Sequence, residues 1–143
     1  MMFLVIISIS GSCNDSYDEF NKLVEYPYPS PNSSVDAECS WTITVPVDRF
    51  VTLAFIDFEI EASVDCERSS LQIFDGENVN SPRMGGKLCG SSLPEDIESS
   101  GRSLFLAFSS SNVTNRTDEF RIGYDFTGKS RRRILFWTNI LRI

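Results

Sequence analysis

Apolar and polar residues alternate along several short segments of the chain. In the segment SWTITVP, Trp41, Ile43 and Val45 alternate with serine and threonine. Because successive side chains of a strand point to opposite faces, this pattern predicts a strand with one buried face. The same period predicts three further strands. Their inward residues are expected to be Leu71 and Ile73, then Leu104, Leu106 and Phe108, then Phe120, Ile122, Tyr124 and Phe126.

The segment FVTLAFIDF is apolar on both of its faces. One side carries Val51, Leu53 and Phe55, and the other side carries Phe50, Ala54, Ile56 and Phe58. A strand of this kind is expected to be central in a sheet or covered on both sides. Loops rich in Ser, Gly, Pro and Asn separate the segments, and no segment shows sustained helical periodicity. Short alternating strands joined by such loops predict an all-β fold, either a sandwich or a barrel.

Length and charge limit the classes of protein to which the chain can belong. Its 143 residues suffice for one domain, and a hydrophobic content of 41% with 11 Phe residues is ample for a packed core. The net charge is -7, but residues 1–128 hold 20 acidic residues against 8 basic ones. Such a body repels phosphate backbones, so we expect no nucleic-acid partner. The charge suits a cation or a basic protein surface, or it serves solubility alone.

The start of the chain and its sequons indicate secretion. Residues 1–12 are predicted to be a short signal peptide or its remnant, because an apolar run is followed by small residues. A first strand or a damaged signal is the alternative. No apolar run reaches the roughly 18 residues that a bilayer span needs. Sequons for N-glycosylation, which indicate a secreted or cell-surface protein, lie at Asn14, Asn32, Asn112 and Asn115.

Four cysteines lie at wide spacing, at positions Cys13, Cys39, Cys66 and Cys89. An even set without a Cys-x-x-Cys motif argues against a structural zinc site and favours disulfides. A buried set of reduced thiols is the alternative. Spacing alone leaves all three possible pairings open.

The sequence offers little for catalysis. It contains no histidine, so a Cys-His pair, a Ser-His pair and a His-containing zinc protease site cannot be built. Asp57, Glu59 and Glu61 could act as paired carboxylates, but acidic residues on a surface strand or loop are usually solvated charges. We therefore expect that the chain is not an enzyme.

Several motifs occur in a fixed order along the chain: CSWTITVP, VTLAFIDFEIE, LQIFDG, LCG, SSGRSLFLAFSS and FRIGYDF. In this order and spacing, with a cysteine five residues after Glu61, the chain resembles a CUB domain. The resemblance covers residues 13–126 and implies a CUB-like domain over residues 13–127. It implies two packed antiparallel sheets with jelly-roll-like topology. It also implies the bridges Cys13–Cys39 and Cys66–Cys89.

The resemblance raises the question of calcium, because many CUB domains bind calcium through a Tyr, a Glu and two Asp. Glu61 matches the glutamate, but Ser69 and Ser111 stand where the family has Asp, and Asn32 falls near the position of the tyrosine. Calcium takes six to eight oxygen ligands with carboxylate charge among them. We therefore expect no bound cofactor, with a calcium site at Glu61 as the alternative. Substitute ligands for such a site would be Tyr26, Tyr28, Asp65, Glu67 and Asp118.

Residues 128–143 lie outside the resemblance and form a basic and apolar tail. The arginine run could be a processing site or a linker. The apolar residues after it could contact an anionic membrane, begin a truncated membrane span or be non-native sequence.

Family resemblance and exclusion together predict an extracellular protein–protein interaction module without catalytic activity. Its partner would be an unknown extracellular protein, bound through loops at one end of the sandwich. The alternatives are a non-catalytic accessory domain or fragment of a secreted multidomain protease, or a piece of a cell-surface receptor.

Overall fold

The computed structural model describes residues 13–26, 37–110 and 118–128. The predictions for residues 1–12 and for the tail after Gly128 lie outside these described residues. A short 3-10 turn spans Val64–Cys66. The strands are β1 (Asn14–Tyr17), β2 (Leu23–Tyr26), β3 (Ala37–Thr44), β4 (Phe50–Glu59), β5 (Ser69–Phe74), β6 (Ile97–Glu98), β7 (Ser103–Ser110) and β8 (Glu119–Thr127).

The strands pack as two four-stranded sheets. The first sheet has the order β1-β3-β7-β5, and the second has the order β2-β8-β4-β6. Paired strands run antiparallel except for β1 and β3, which are parallel. The prediction of an all-β sandwich is confirmed. The parallel pair is a feature that alternation within one strand cannot predict.

One core lies between the two sheets. The inward positions predicted for β3, β5 and β7 are all buried, and in β8 only Phe126 is partly buried instead. Phe120 is the centre of an aromatic cluster, with its ring centroid 5.8 Å from Trp41 and 5.5 Å from Phe108. Each such edge-to-face pair contributes about 0.5–1.5 kcal/mol beyond the burial of its area.

Strand β4 differs from its prediction. A bulge between Phe55 and Asp57 shifts the register with β8. The extra residue reverses the facing beyond it, so Phe58 points into the core while Ile56 is 48% exposed. Of the two expectations for this segment, a central position in the sheet is confirmed, while the outer face of β4 is not covered by a strand or helix of the described residues. β4 is an inner strand whose outer face carries the exposed side chains of Ala54 and Ile56.

Two disulfides join segments that are distant in sequence. The structure joins Cys13 to Cys39 and Cys66 to Cys89, the pairing that the resemblance implies. Cys13 directly precedes β1 and Cys39 lies in β3, so the first bridge holds the short parallel strand against its neighbour. The N–H of Ser40 also donates to the carbonyl of Cys13 at 3.2 Å. Closing loops of this length stabilises a fold by about 3 kcal/mol each in the chain-entropy model.

Candidate functional site

Glu61, the residue that matches the calcium glutamate of the family, lies just after β4. We call this end of the sandwich, which carries Glu61 and the turn Val64–Cys66, the loop end. The preceding residue, Ile60, exchanges two backbone hydrogen bonds with Gly90, of 3.0 and 2.7 Å. The Oε2 of Glu61 lies 3.5 Å from Nη2 of Arg68, while its Oε1 is buried and accepts no hydrogen bond from the described residues. Glu61 is thus positioned by backbone pairing and faces a positive charge from its own chain.

A chain of hydrogen bonds joins the two sheets beside Glu61. Ser69, at the start of β5, donates from its hydroxyl to the hydroxyl of Ser110 at the end of β7, at 3.0 Å. Ser110 donates to Oδ2 of Asp118 at 3.2 Å, and Oδ1 of Asp118 accepts the backbone N–H of Glu61 at 2.8 Å. The two serines belong to the first sheet, whereas Asp118 and Glu61 flank strands of the second. We call these four residues the inter-sheet tie.

Three of the four residues of the inter-sheet tie are buried. Ser69 and Ser110 are each 1% exposed and Asp118 is 6% exposed. A buried carboxylate is costly unless it accepts hydrogen bonds, and Asp118 accepts one on each oxygen. Sequence reasoning identified Ser69 as a lost ligand and Asp118 as a substitute, but it missed Ser110. The signal that could have found Ser110 is its place beside Ser111, in the loop where the family has an aspartate.

The described residues around Glu61 are held by hydrogen bonds and an ion pair within the chain. Both carboxylate oxygens of Asp118 already accept hydrogen bonds, and Glu61 pairs with Arg68. Calcium would need six to eight oxygens from this region. Across residues 13–26, 37–110 and 118–128, no group of three or more His, Cys, Asp or Glu side chains is placed to hold a metal ion. Among the described residues, the guanidinium of Arg68 and the hydroxyls of Ser69 and Ser110 lie next to the carboxylates of Glu61 and Asp118.

Of the other calcium candidates, the structure describes Tyr26, Asp65 and Glu67. The ring of Tyr26 packs in the core, with its centroid 4.5 Å from that of Phe108. Asp65 and Glu67 are exposed, in and after the 3-10 turn. Three further candidates, Tyr28, Asn32 and Ser111, lie outside the described residues.

The 3-10 turn Val64–Cys66 forms the outermost part of the loop end. Asp65 and Cys66 adopt left-handed backbone conformations, with φ of 53° and 51°, which L residues seldom occupy. The Cys66–Cys89 disulfide holds the turn, and the N–H of Arg68 donates to the Ser63 hydroxyl at 3.0 Å. The side chain of Val64 is 79% exposed. The loop end therefore presents an exposed apolar side chain on a turn that a disulfide and a hydrogen bond hold in place.

The remaining predicted site residues that the structure describes, Asn14, Asp57 and Glu59, are exposed. Asn14 is exposed in β1, where its Oδ1 accepts a hydrogen bond from the Ser40 hydroxyl at 2.9 Å. Asp57 and Glu59 are exposed on the second sheet, and Asp57 pairs with Arg121 at 2.8 Å. The sequons at Asn32, Asn112 and Asn115 lie outside the described residues. Within the part of the chain that the structure describes, no helix is long and apolar enough to cross a bilayer.

A polar cluster that sequence reasoning missed lies at the other end of β8. The Tyr124 hydroxyl donates to the carbonyl of Asp18 at 2.6 Å, and burial raises the pKa of Tyr124 to about 12. The carboxylate of Asp125 accepts hydrogen bonds from the Phe126 N–H and from Lys22, which hold its pKa below the ordinary value. Both partners of the Lys22–Asp125 pair are mostly exposed, so the pair contributes little stability. The cluster fixes the turn between β1 and β2.

Comparison with known proteins agrees with the observed fold of two packed sheets. The family model described as CUB domain matches residues 11–124 of the chain. The chain belongs to the CUB domain family. CUB domains are generally non-catalytic binding modules, and the relatives of this one are multidomain extracellular proteins.

Three relatives illustrate how much of a longer protein this CUB domain matches. Cubilin of Sus scrofa is 35% identical over 102 residues, which are 71% of this chain and 3% of cubilin. Exoskeleton protein RP43 of Riftia pachyptila is 37% identical over 114 residues, 79% of this chain and 27% of RP43. Tolloid-like protein 1 of Mus musculus is 39% identical over 79 residues, 55% of this chain and 8% of that protein. The chain spans a small part of the length of the curated relatives it matches.

One solved structure bears on the calcium question. The CUB2 domain of MASP-1 bound to Ca²⁺ matches with a TM-score of 0.63 and 29% identity, over 80% of this chain and 98% of that one. Calcium binding therefore occurs on this fold in a similar domain. In the present CUB domain the described residues around Glu61 make the inter-sheet tie.

Proposed function

We propose that this CUB domain is an extracellular, secreted module that binds another protein and has no catalytic activity. The observation that carries the proposal is the family match over residues 11–124, because domains of this family are generally binding modules. The absence of histidine from the sequence supports the lack of catalysis, since a Ser or Cys nucleophile would have no imidazole base. The partner is proposed to be an extracellular protein.

The loop end is the proposed recognition surface. Val64 is 79% exposed there, on a turn that the Cys66–Cys89 disulfide holds in place. An apolar side chain on a pre-ordered loop gains contact area without the entropic cost of ordering a flexible segment. The exposed carboxylates of Asp65 and Glu67 flank it and would form the polar rim of such an interface.

Binding at the loop end is proposed to need no calcium. The inter-sheet tie supports this proposal, because it fixes Glu61 through the Asp118 carboxylate and engages Ser69 in a buried hydrogen bond. Arg68 supplies a positive charge 3.5 Å from Glu61. A partner would therefore meet a loop end that the chain orders by itself.

Two matched variants test the proposal. The oxidised full chain is immobilised, extracellular medium is passed over it, and captured proteins are identified by crosslinking and mass spectrometry. Val64→Asp should lose the captured partner, whereas Leu93→Asp should retain it, because Leu93 is 57% exposed on a different loop. The same capture should occur in calcium and in chelator. The proposal is wrong if the unaltered chain captures no protein with saturable binding. It is also wrong if the two variants lose the captured partner to the same extent.

N-glycosylation at Asn14 is part of the proposed extracellular character. The exposure of Asn14 at the edge of the first sheet supports it, since a glycan there would extend into solvent. Chain secreted from eukaryotic cells should lose mass when treated with an N-glycosidase, and Asn14→Gln should lose one glycan. An Asn14 peptide with no glycan in the secreted chain would contradict this part.

The length of the relatives supports a place within a longer extracellular protein. Tolloid-like protein 1 and cubilin each contain far more sequence than this chain matches. Sequencing the full-length transcript separates a protease accessory domain from a receptor piece. A downstream zinc-binding His motif would favour the protease, and further CUB copies with a membrane span would favour the receptor.

A further inference from the structure

The outer face of the second sheet carries a strip of apolar residues. Leu23, Gly123 and Ala54 lie side by side across β2, β8 and β4. Ile56 of β4 points outward beside them, where it is 48% exposed, and its Cδ1 lies 3.4 Å from the position that a Cβ on Gly123 would occupy. We call these four residues the apolar strip. Among the described residues, no strand or helix covers this face.

Several carboxylates lie on the same face, in the part that is close to the loop end. Glu59 lies directly opposite Glu119 on the neighbouring strand, and like charges in this position repel each other. Arg121 lies opposite Glu25 and bonds to Asp57 at 2.8 Å. This part of the face therefore carries four carboxylates and one guanidinium, which is bonded to one of the four.

A cleft of about 230 Å³ opens within this group of carboxylates. Glu25, Asp57, Glu119 and Arg121 line it, together with parts of Tyr26 and Phe120. We call it the acidic cleft. Its volume admits one long side chain, and its charge selects a cation.

We propose that this sheet face binds a basic stretch of a partner protein, with a lysine or arginine in the acidic cleft and an aliphatic side chain on the apolar strip. Arg121 at the cleft and Gly123 in the strip are two residues apart on β8, a distance of about 7 Å. Side chains i and i+2 of an extended partner segment are separated by the same distance on one face. The proposal rests on the proposed function in that the partner is a protein, but it assigns a surface separate from Val64.

Charge complementarity favours a basic partner segment at the acidic cleft. Residues 1–128 hold 20 acidic and 8 basic residues, so a basic partner is attracted from a distance and an acidic one is repelled. At contact, a lysine or arginine of the partner would relieve the repulsion between Glu59 and Glu119. The apolar strip then adds a preference that charge alone does not supply, because it excludes water from an aliphatic side chain.

The probe is a labelled peptide of sequence Lys-Ser-Leu-Ser-Lys-Ser-Leu-Ser, titrated against the oxidised full chain by fluorescence anisotropy. In an extended peptide its lysines and leucines share one face. Replacing both lysines by glutamate should abolish binding, and replacing both leucines by serine should weaken it several-fold. Amide chemical shifts should move at Gly123, Ala54 and Ile56 in the unaltered, isotope-labelled chain, which tests the surface without any variant.

Matched variants separate a specific surface from diffuse attraction. The pair Glu25→Lys with Glu119→Lys should weaken peptide binding by about tenfold or more. The pair Glu38→Lys with Glu77→Lys changes the net charge equally at exposed positions away from this face, and it should weaken binding by less than about threefold. Ile56→Ser should also weaken binding, whereas Leu93→Ser should not.

Three results would overturn the inference: no binding of the lysine peptide, equal losses in the two charge-reversed pairs, or shifts confined to other surfaces. Dimerisation of the chain through the apolar strip, detected by analytical ultracentrifugation and lost in Ile56→Ser, would also overturn it, because a second copy would then be the occupant. Capture of a partner through Val64 does not depend on these outcomes. The proposed function can therefore survive when this inference fails.

Discussion

The carboxylate of Asp118 accepts the backbone N–H of Glu61 at 2.8 Å, although the two residues are 57 positions apart in sequence. Through Ser110, the same carboxylate reaches the first sheet. The loop end is therefore closed by protein groups that join both sheets. Within the described residues, a buried acid, two hydroxyls and a backbone amide make this connection.

Asp118→Ala should destabilise the domain by about 1–3 kcal/mol, because it leaves the Glu61 N–H and the Ser110 hydroxyl buried without their acceptor. Unfolding in urea measures the loss. Asp125→Ala is the matched control, since the Asp125 side chain is 71% exposed and its ion pair should contribute less than about 1 kcal/mol. If the two variants lost the same free energy of unfolding, the inter-sheet tie would stabilise the domain no more than an exposed ion pair does.

Calcium should have little effect on the stability of the unaltered domain. An ion that binds only the folded state at 100 times its Kd adds about 2.7 kcal/mol, which would raise the melting temperature by several degrees. Because Asp118 and Glu61 are already engaged, we expect melting in millimolar calcium and in chelator to differ by less than about 2 °C. A larger shift would show that residues near Glu61 rearrange around the ion.

Restoring aspartates is the converse experiment. Ser69→Asp together with Ser111→Asp should lower the melting temperature in chelator, because the new carboxylate at position 69 lies in a buried site linked to Asp118 through Ser110. Calcium should recover part of this loss if the backbone still directs these side chains toward Glu61. A double variant that is stable in chelator and indifferent to calcium would contradict both expectations.

Sequence alternation predicted the inward faces correctly where a strand keeps strict period two. Trp41, Leu106 and Ile122 are buried for that reason. The bulge after Phe55 could not be predicted, because an inserted residue leaves the apolar composition of β4 unchanged and only reverses its facing. The strands β1 and β2 were missed because each has four residues, and NDSY has almost no apolar alternation.

The candidate site was only partly predictable for a related reason. Glu61 and Ser69 were identified through the family motif. The hydrogen bonds of Asp118 form where strand ends that are distant in sequence meet. A local pattern of residues in the sequence therefore cannot predict them. The acidic cleft likewise arises from the register of β8 against β2 and β4, which places Glu25 and Asp57 on either side of Arg121.

Trp41→Ala should cost about 3–5 kcal/mol, because the side chain is 2% exposed and its ring meets Phe120 edge-on at 5.8 Å. Trp41 belongs to the same core cluster as Cys39, so the cavity would open beside the first disulfide. Phe20→Ala is the control: Phe20 is 79% exposed and its loss should cost less than about 0.5 kcal/mol. A loss below about 1 kcal/mol for Trp41→Ala would contradict its place in the core.

Mass mapping of the unreduced chain should find the peptides of Cys13 and Cys39 linked, and those of Cys66 and Cys89 linked. The reason is geometric: each pair has Cα atoms close together, at 5.1 and 5.6 Å, within the range that a disulfide spans. Free thiols or a crossed Cys13–Cys66 link would contradict both the structure and the family pairing.

Stability should fall with pH as the solution passes from about 10 to 12, in part because of Tyr124. Burial raises the pKa of Tyr124 from an ordinary value of 10.0 to about 12. Between these values the unfolded chain loses the phenol proton while the folded chain keeps it. The unfolded state then binds fewer protons than the folded state, so the free energy of unfolding decreases as pH rises.

Tyr124→Phe isolates this contribution. The variant should be less stable at pH 8 by about 1 kcal/mol, because the hydrogen bond to the Asp18 carbonyl is lost. Between pH 10 and 12 it should lose less stability than the unaltered domain, because phenylalanine has no proton to release in either state. Urea unfolding across this range measures both slopes, and phenolate absorbance of the folded chain should show a step near pH 12 that the variant lacks. Parallel slopes in the two proteins would mean that Tyr124 titrates alike in the folded and unfolded states.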